Sequence, residues 1–196
     1  MKYPLQIGSG YFLWMTMKKN GNKIRAMTRM ALCVALLCAA SYVVIPLPFS
    51  PAVLSLHTIC VNVTGLILSP GQAVCTIGLY LLMGLMGLPV FSGGTGGPGK
   101  LLGPAGGFYF GFLPAVWAIS MLKGNRPDSM RYFWVTVGIG IPLEHLCAIG
   151  VMMLHNGFGF VPAAMTVSVP FLPGDIVKCG VASLCAAGIN RVLPKE

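Results

Sequence analysis

The chain has 196 residues, of which 56% are hydrophobic and 9% are charged, and its mean hydropathy is +0.81. Because soluble domains contain about 25% charged residues, this composition excludes an ordinary soluble protein and predicts an integral membrane protein. The net charge of +9 would also suit a nucleic-acid-binding protein. However, the basic residues cluster before the first apolar segment, in one later loop and at the C-terminus, which is typical of cytoplasmic membrane loops.

Six apolar segments follow one another along the chain, separated by proline, glycine or charged residues. A transmembrane helix needs about 20 residues, so we predict an all-α membrane protein built as one six-transmembrane-helix bundle over residues 28–192. A basic segment, 1–27, precedes this bundle and a short tail, 193–196, follows it. The predicted spans are 28–46, 52–69, 72–90, 104–122, 132–154 and 173–192.

The charges also predict the orientation of the bundle. Eleven of the thirteen Lys and Arg residues lie before the first span, in the loop 123–131, or at the end of the chain. The positive-inside rule places these regions, and therefore both termini, in the cytoplasm. The 46–51 turn, the loop between the third and fourth helices and the 155–172 connection then all lie outside. Residues 1–27 are predicted to form an interfacial helix on the inner surface or a disordered extension.

Small residues recur every four positions on the first predicted helix, at Ala31, Ala35 and Ala39. Such spacing permits close approach of another helix. We consider two interpretations of this alanine stripe: a packing seam inside the bundle, or a docking surface for another membrane subunit. At the outer end of the second helix, His57 is a candidate ligand contact.

A glycine-rich loop, residues 87–107, connects the third and fourth predicted helices. Irregular backbone in a membrane protein is tolerated only where it is buried in protein or lines a cavity, so this external loop is predicted to hold a small ligand. Residues 94–101 nearly match the phosphate-binding pattern GxxxxGK[ST], but Leu101 replaces the hydroxyl residue and no predicted strand precedes the loop. We therefore do not predict a nucleotide site here.

The fifth and sixth predicted helices carry the remaining ionisable groups. Glu144 and His145 lie in mid-span, where an interhelical hydrogen bond or a protonated Glu paired internally is the simplest interpretation. His155 is predicted to be a loop histidine. Asp175 follows a Pro-Gly break, in a position suited to the N-cap or first turn of the last helix. Lys178 lies one turn later on the same face. Because ionisable groups in a membrane are costly and tend to be functional, we predict that this pair contacts a ligand; the alternative is a capping Asp with a local ion pair.

Catalytic motifs are scarce in this sequence. There is no HExxH pattern and no second intramembrane Asp to pair with Asp175. A membrane hydrolase that uses Ser92 as its nucleophile and His145 or His155 as its base is the alternative from a different functional class. The chain is predicted not to be an enzyme and to hold no metal or cofactor.

Three segments together resemble the BioY family, the biotin-binding S components of energy-coupling factor (ECF) vitamin transporters. They are residues 87–91 (GLPVF) with the glycine-rich loop that follows, residues 103–108 (GPAGGF) and residues 170–178 (PFLPGDIVK). The turn at 48–51 (PFSP) and residues 56–58 (LHT) also look like the first external loop of the family. The resemblance extends from about residue 25 to residue 192.

This resemblance implies a six-helix S component in a prokaryotic cell membrane, with a biotin pocket near the outer face. Biotin is then the transported ligand, and an S component for another vitamin is the alternative. The alanine stripe looks like the family surface that docks onto a transmembrane coupling subunit, which carries two cytoplasmic ATPases. In the pocket, Asp175 is suited to accept hydrogen bonds from the ureido N–H groups, and Lys178 to donate to a ligand oxygen or to hold Asp175 in place. The other implied ligand contacts are the loop residues Gly93, Gly94, Thr95 and Gly96 and the wall residues Tyr80, Phe91, Phe108 and Tyr109.

Overall fold

The structure, a computed structural model, describes residues 7–46, 53–103 and 106–193. The first half of the chain contains three helices and a short hairpin. The strands β1 and β2 of this hairpin pair antiparallel, with Val44 opposite Ser55. These elements are α1 (Ile7–Ala40), β1 (Val44–Pro46), β2 (Val53–Ser55), α2 (His57–Ile67) and α3 (Pro70–Leu85).

The second half is helical throughout its described elements. A π-helical turn, Thr136–Gly140, joins two α-helices, so that Ser129–Asn156 is one continuous helical stretch. Two short helices were not predicted from the sequence. One lies in the glycine-rich loop and the other in the connection before the last helix. The α-helices of this half are α4 (Pro98–Leu102), α5 (Gly106–Leu122), α6 (Ser129–Val135), α7 (Ile141–Asn156), α8 (Phe160–Val167) and α9 (Leu172–Val192).

Each of the six predicted spans contains a helix, but several predicted ends are wrong. The first helix ends at Ala40, and residues 44–46 and 53–55 form strands instead of continuing the spans 28–46 and 52–69. The β-branched Val43, Val44 and Ile45 disfavour helix, and Pro46 cannot continue one. The third helix ends at Leu85, because Gly87 adopts a φ of 95°, which is open to glycine and closed to most other residues.

Residues 7–27 form the beginning of α1 and run on into the first predicted span without a break. The predicted outer turn at 48–51 lies outside the described residues. Among the described residues, two helical stretches are long and apolar enough to cross a bilayer, Ser129–Asn156 and Leu172–Val192. Three apolar helices are shorter, namely His57–Ile67, Pro70–Leu85 and Gly106–Leu122.

Two glycines let α5 lie directly against α7. A Cβ atom at Gly107 would lie 2.6 Å from the Cα atom of Ala148, and one at Gly111 would lie 2.8 Å from the Cα atom of Glu144. Small residues at a helix contact permit this close backbone approach. This contact fixes where Glu144 and His145 lie along the length of α5. It therefore positions one side of the candidate ligand site.

The main apolar core lies between α1, α2, α3 and α5 and extends under the glycine-rich loop. Its members are fully or almost fully buried and include residues of the loop itself, so the loop is part of the packed interior. The largest fully buried side chains in it are Leu37, Val61, Leu68, Ile77, Tyr80, Phe91 and Val116.

Candidate ligand site

The first part of the glycine-rich loop is a tight turn fastened to three helices. The Phe91 N–H donates to the Thr95 carbonyl at 2.8 Å, and the Thr95 N–H donates to the Phe91 carbonyl at 3.2 Å. Gly93 and Gly94 close the turn with φ values of 82° and 66°. The loop is therefore an ordered structure, and its glycines are required by its backbone.

Backbone hydrogen bonds tie this turn to the helices beneath it. The Gly93 N–H donates to the Ser41 carbonyl at 2.8 Å, just after the end of α1, and the Gly97 N–H donates to the Gly84 carbonyl of α3 at 2.7 Å. The Ser92 N–H donates to the Tyr109 hydroxyl of α5 at 3.0 Å. Thr95 and Gly96, at the outer side of the turn, are exposed.

Phe91 anchors the loop in the core. Its side chain is fully buried and lies against Gly84, where a Cβ atom would come within 2.1 Å of the ring. Tyr80 and Tyr109 stack around it with ring centroids 5.8 and 4.5 Å from that of Phe91. Such offset and edge-to-face contacts between aromatic rings stabilise the arrangement beyond simple burial.

His57 completes this aromatic cluster from the first turn of α2. Its ring lies 5.8 Å from Tyr80 and 6.4 Å from Tyr109, centroid to centroid. The Tyr80 hydroxyl donates to the Val90 carbonyl at 3.0 Å, and His57 Nε2 lies 3.4 Å from the same oxygen. The structure thus brings together His57, Tyr80, Phe91 and Tyr109, four residues that the sequence predicted as ligand contacts.

The second part of the site is a buried polar cluster on α7 and α9. Lys178 Nζ lies 2.9 Å from Asp175 Oδ1, and His145 Nε2 lies 3.1 Å from Asp175 Oδ2. His145 Nδ1 in turn lies 2.7 Å from the Ser168 hydroxyl. All three ionisable side chains are buried. A charged pair buried in this way requires well-placed partners to offset its desolvation, and here each carboxylate oxygen has one.

Asp175 lies in the first turn of α9 and its neighbour Lys178 is one turn further on, as predicted. The N-cap position of this helix belongs to Phe171 instead. The predicted interhelical hydrogen bond at Glu144-His145 is present through His145, which contacts Asp175 across the α7–α9 interface. His155 is exposed near the end of α7.

The aromatic and polar clusters meet at α5. Phe108 packs edge-on against His145 with centroids 5.5 Å apart and against Phe171 at 5.6 Å, while the next residue, Tyr109, belongs to the aromatic cluster. His57 also lies within electrostatic range of Lys178. The two predicted halves of the site, one in the loop and one on the last helix, therefore form one region.

Three residues at or beside the site were not predicted from the sequence: Ser41, Asn62 and Ser168. Ser41 and Ser168 each contact the site from the end of a neighbouring element, and no motif marked them. Asn62 is buried in α2 and its amide Nδ2 donates to Cys179 Sγ at 3.4 Å. A buried amide in an apolar helix is a signal that sequence reasoning could have used, since polar side chains in such helices usually face a partner or a site.

The fold and site together define a class: a helical membrane protein in which an ordered glycine-rich loop packs on a buried aromatic cluster, next to a buried cluster of ionisable residues. The BioY family model matches residues 15–195, and this chain belongs to the BioY family, as the sequence motifs predicted. The chain is similar to the biotin transporter BioY of Thermotoga maritima, with 30% identity over 86% of this chain and 98% of the relative. It is likewise similar to the biotin transporter BioY of Rhodobacter capsulatus, with 31% identity over 87% and 95%.

One solved structure shares the fold. It is the crystal structure of the S-component for biotin from an ECF-type ABC transporter, which covers 88% of this chain and 94% of its own length with a TM-score of 0.78. The sequence identity is 20%, so this comparison establishes the architecture of the helices. The BioY family consists of transporter components, and this chain is not an enzyme.

Proposed function

We propose that this chain is the biotin-binding membrane subunit of an ECF-type vitamin uptake transporter. The observation that carries the proposal is the buried Lys178–Asp175–His145 cluster, in a chain whose relatives are named biotin transporters. A buried polar cluster among aromatic side chains is the usual composition of a small-molecule site.

The chemistry of biotin suits this cluster. The ligand has a ureido ring with two N–H donors and one carbonyl, an apolar ring and chain, and a carboxylate. Asp175 retains acceptor capacity for ring N–H groups, since a carboxylate oxygen has two lone pairs, and Lys178 is a donor to a ligand oxygen. The backbone amides of Gly93 to Gly96 are proposed to close over the carboxylate or chain end, and Tyr80, Phe91, Tyr109 and His57 to form or support the apolar wall.

We propose that six helices cross the membrane, with both termini in the cytoplasm and the glycine-rich loop outside. Large apolar side chains on the outer faces of the helices support this arrangement, because soluble surfaces rarely expose contiguous apolar patches. Such residues, at least half exposed, occur on eight of the nine α-helices that the structure describes, for example Leu36, Leu82, Trp117, Leu146 and Leu184.

The alanine stripe is proposed as the docking surface for the coupling subunit, which in turn carries two cytoplasmic ATPases. Ala31, Ala35 and Ala39 are all exposed, whereas Cys33, Val34 and Leu37 on the other side of α1 are buried. Among the described residues no helix of this chain covers the stripe, which disfavours the internal packing seam. A smooth exposed face on a membrane helix suits a second helix.

The direct test is a calorimetric titration of the purified, detergent-solubilised chain with biotin, beside thiamine and riboflavin as comparison ligands. We expect saturable binding of biotin alone, and copurification of biotin from cells grown with the vitamin. Tight binding of another vitamin, or of none, would contradict the proposal.

A further inference from the structure

Among the described residues, four buried side-chain atoms have no hydrogen-bond partner: Nδ1 of His57, Oδ1 of Asn62, Oε1 of Glu144 and Oγ of Ser183. Native interiors contain few such atoms, and each one in a real structure requires an explanation. Three of the four belong to residues near the Lys178–Asp175 pair: His57 and Glu144 lie within electrostatic range of it, and Asn62 bonds to Cys179, the next residue along α9. These unpaired atoms are therefore concentrated near the candidate site and are not spread through the bundle.

Glu144 is the most costly of these groups to leave unpaired, because it is an acidic side chain that is only 3% exposed. It precedes His145 on α7 and lies within electrostatic range of both Asp175 and Lys178. The close contact at Gly111 of α5 holds its backbone in place. Glu144 thus faces the same region as the ion pair without being one of its hydrogen-bond partners.

Asn62 approaches the same region from α2. Its Nδ2 donates to Cys179, the residue after Lys178, which leaves Oδ1 without a donor. A Cβ atom at Gly140, one turn before Glu144, would lie 3.4 Å from this Oδ1. Asn62 and Glu144 therefore supply two unsatisfied acceptors where α2, α7 and α9 meet.

Each carboxylate oxygen of Asp175 already has one partner, Lys178 for Oδ1 and His145 for Oδ2, and keeps one further lone pair. Oε1 of Glu144 is the carboxylate oxygen of this region that has no donor. A ligand that brings an N–H group to it would remove the cost of its burial, and a ligand without that group would not. Sites built to hydrogen-bond a ligand group discriminate strongly against analogues that lack it.

We infer that Glu144 is a specificity-determining ligand contact, whose Oε1 accepts a hydrogen bond from a ring N–H of a cyclic urea, with Asn62 as a second acceptor beside it. This inference rests on the proposed function, because the urea is the ureido ring of biotin. It assigns the recognition of the ring to α2 and α7 as well as to the Asp175–Lys178 pair on α9.

The test combines two variants, Glu144→Gln and Glu144→Met, with three ligands: biotin and two analogues, each methylated on one ureido nitrogen. If Glu144 accepts from one N–H, the analogue methylated at that nitrogen has already lost the contact. We expect Glu144→Gln to lower biotin affinity about tenfold and Glu144→Met to lower it further, with almost no added loss for that analogue. Such non-additivity is the signature of a direct interaction.

Ile149→Met is the matched control, since it changes a buried apolar residue on the same helix with little change in volume. It should leave the preference for biotin over both analogues unchanged. Should Glu144→Met fail to fold, the Gln variant, which keeps the shape of the side chain, gives the same comparison. Losses in Glu144→Gln that are equal for all three ligands would overturn the inference while biotin binding by the wild type stands. Absence of biotin binding in the wild type would overturn the proposed function as well.

Discussion

At the scale of single residues, the Asp175 carboxylate joins two other buried ionisable side chains of the site. It lies between a lysine one turn later on its own helix and a histidine on α7, so changing it affects both. Asp128 offers a contrast, because this aspartate is exposed and caps α6 by accepting from the Met130 N–H. The two aspartates allow the same substitution to be compared in and out of the site.

We predict that Asp175→Asn weakens biotin binding by ten- to over a hundredfold. The substitution keeps the shape but replaces one acceptor oxygen with a donor, and the loss of a charge-assisted hydrogen bond costs about 1.5–3 kcal/mol. Calorimetric titration of the purified variant measures the effect. Asp128→Asn is the control and should bind as the wild type does, since Asn caps helices about as well as Asp. Unchanged affinity in Asp175→Asn would show that the pair only stabilises the start of α9.

At the scale of elements, the packing of α3 against the glycine-rich loop depends on one glycine. Phe91 occupies the space that a side chain at Gly84 would need. On the same helix, Gly78 has open space around its Cα atom. The Phe91 ring packs directly on the backbone of Gly84 and so holds the loop on α3. Backbone hydrogen bonds from Gly93 and Gly97 hold the loop on either side of this contact.

We predict that Gly84→Ala displaces Phe91 and loosens the loop, lowering both the unfolding temperature and the affinity for biotin. Overpacking of this kind costs about 1–3 kcal/mol. Thermal unfolding with and without biotin measures both effects. Gly78→Ala is the matched control and should be neutral or slightly stabilising, because Ala is the better helix former. Equal behaviour of the two variants would mean that the Phe91–Gly84 contact does not hold the loop.

A comparison of the predicted spans with the helices and strands of the structure shows which features the sequence alone can predict. Apolar segments and breakers predicted six spans, each of which contains a helix. The Asp175–Lys178 ion pair is the alternative that the spacing left open beside a ligand contact. The hairpin at 44–46 and 53–55 was missed because its β-branched residues read as a continuation of apolar spans. The contacts of His145 with Asp175 and of Tyr109 with the loop join residues 30 and 17 positions apart, and no local pattern encodes such pairings.

At the scale of the whole molecule, the proposed orientation places the glycine-rich loop and the loop 123–131 on opposite sides of the membrane. Lys100, on α4, is partly exposed and Arg126 is exposed, so both are accessible for labelling. The orientation matters for function because a pocket under an inward-facing loop could not capture an external vitamin.

We predict that a cysteine introduced by Lys100→Cys, in a background without the seven native cysteines, reacts with an impermeant thiol reagent added to intact cells. A cysteine introduced by Arg126→Cys should react only after the cells are opened. The expectation follows from the basic residues around position 126, which favour the cytoplasmic side. The reverse pattern of labelling would contradict the proposed orientation and with it the external pocket.

The exposed face of α1 that carries the alanine stripe is the proposed contact with the coupling subunit. Ala35 is exposed beside Leu32 and Leu36, so Ala35→Trp adds a large side chain to the surface without disturbing the core. We expect this variant to bind biotin as the wild type does but to copurify poorly with a co-expressed coupling subunit, because the smooth face that a partner helix needs is lost. Leu146→Trp, at an exposed position of α7, is the control and should still assemble. Full assembly of Ala35→Trp would exclude the stripe as the docking surface, and loss of biotin binding together with unfolding would place the stripe inside the bundle.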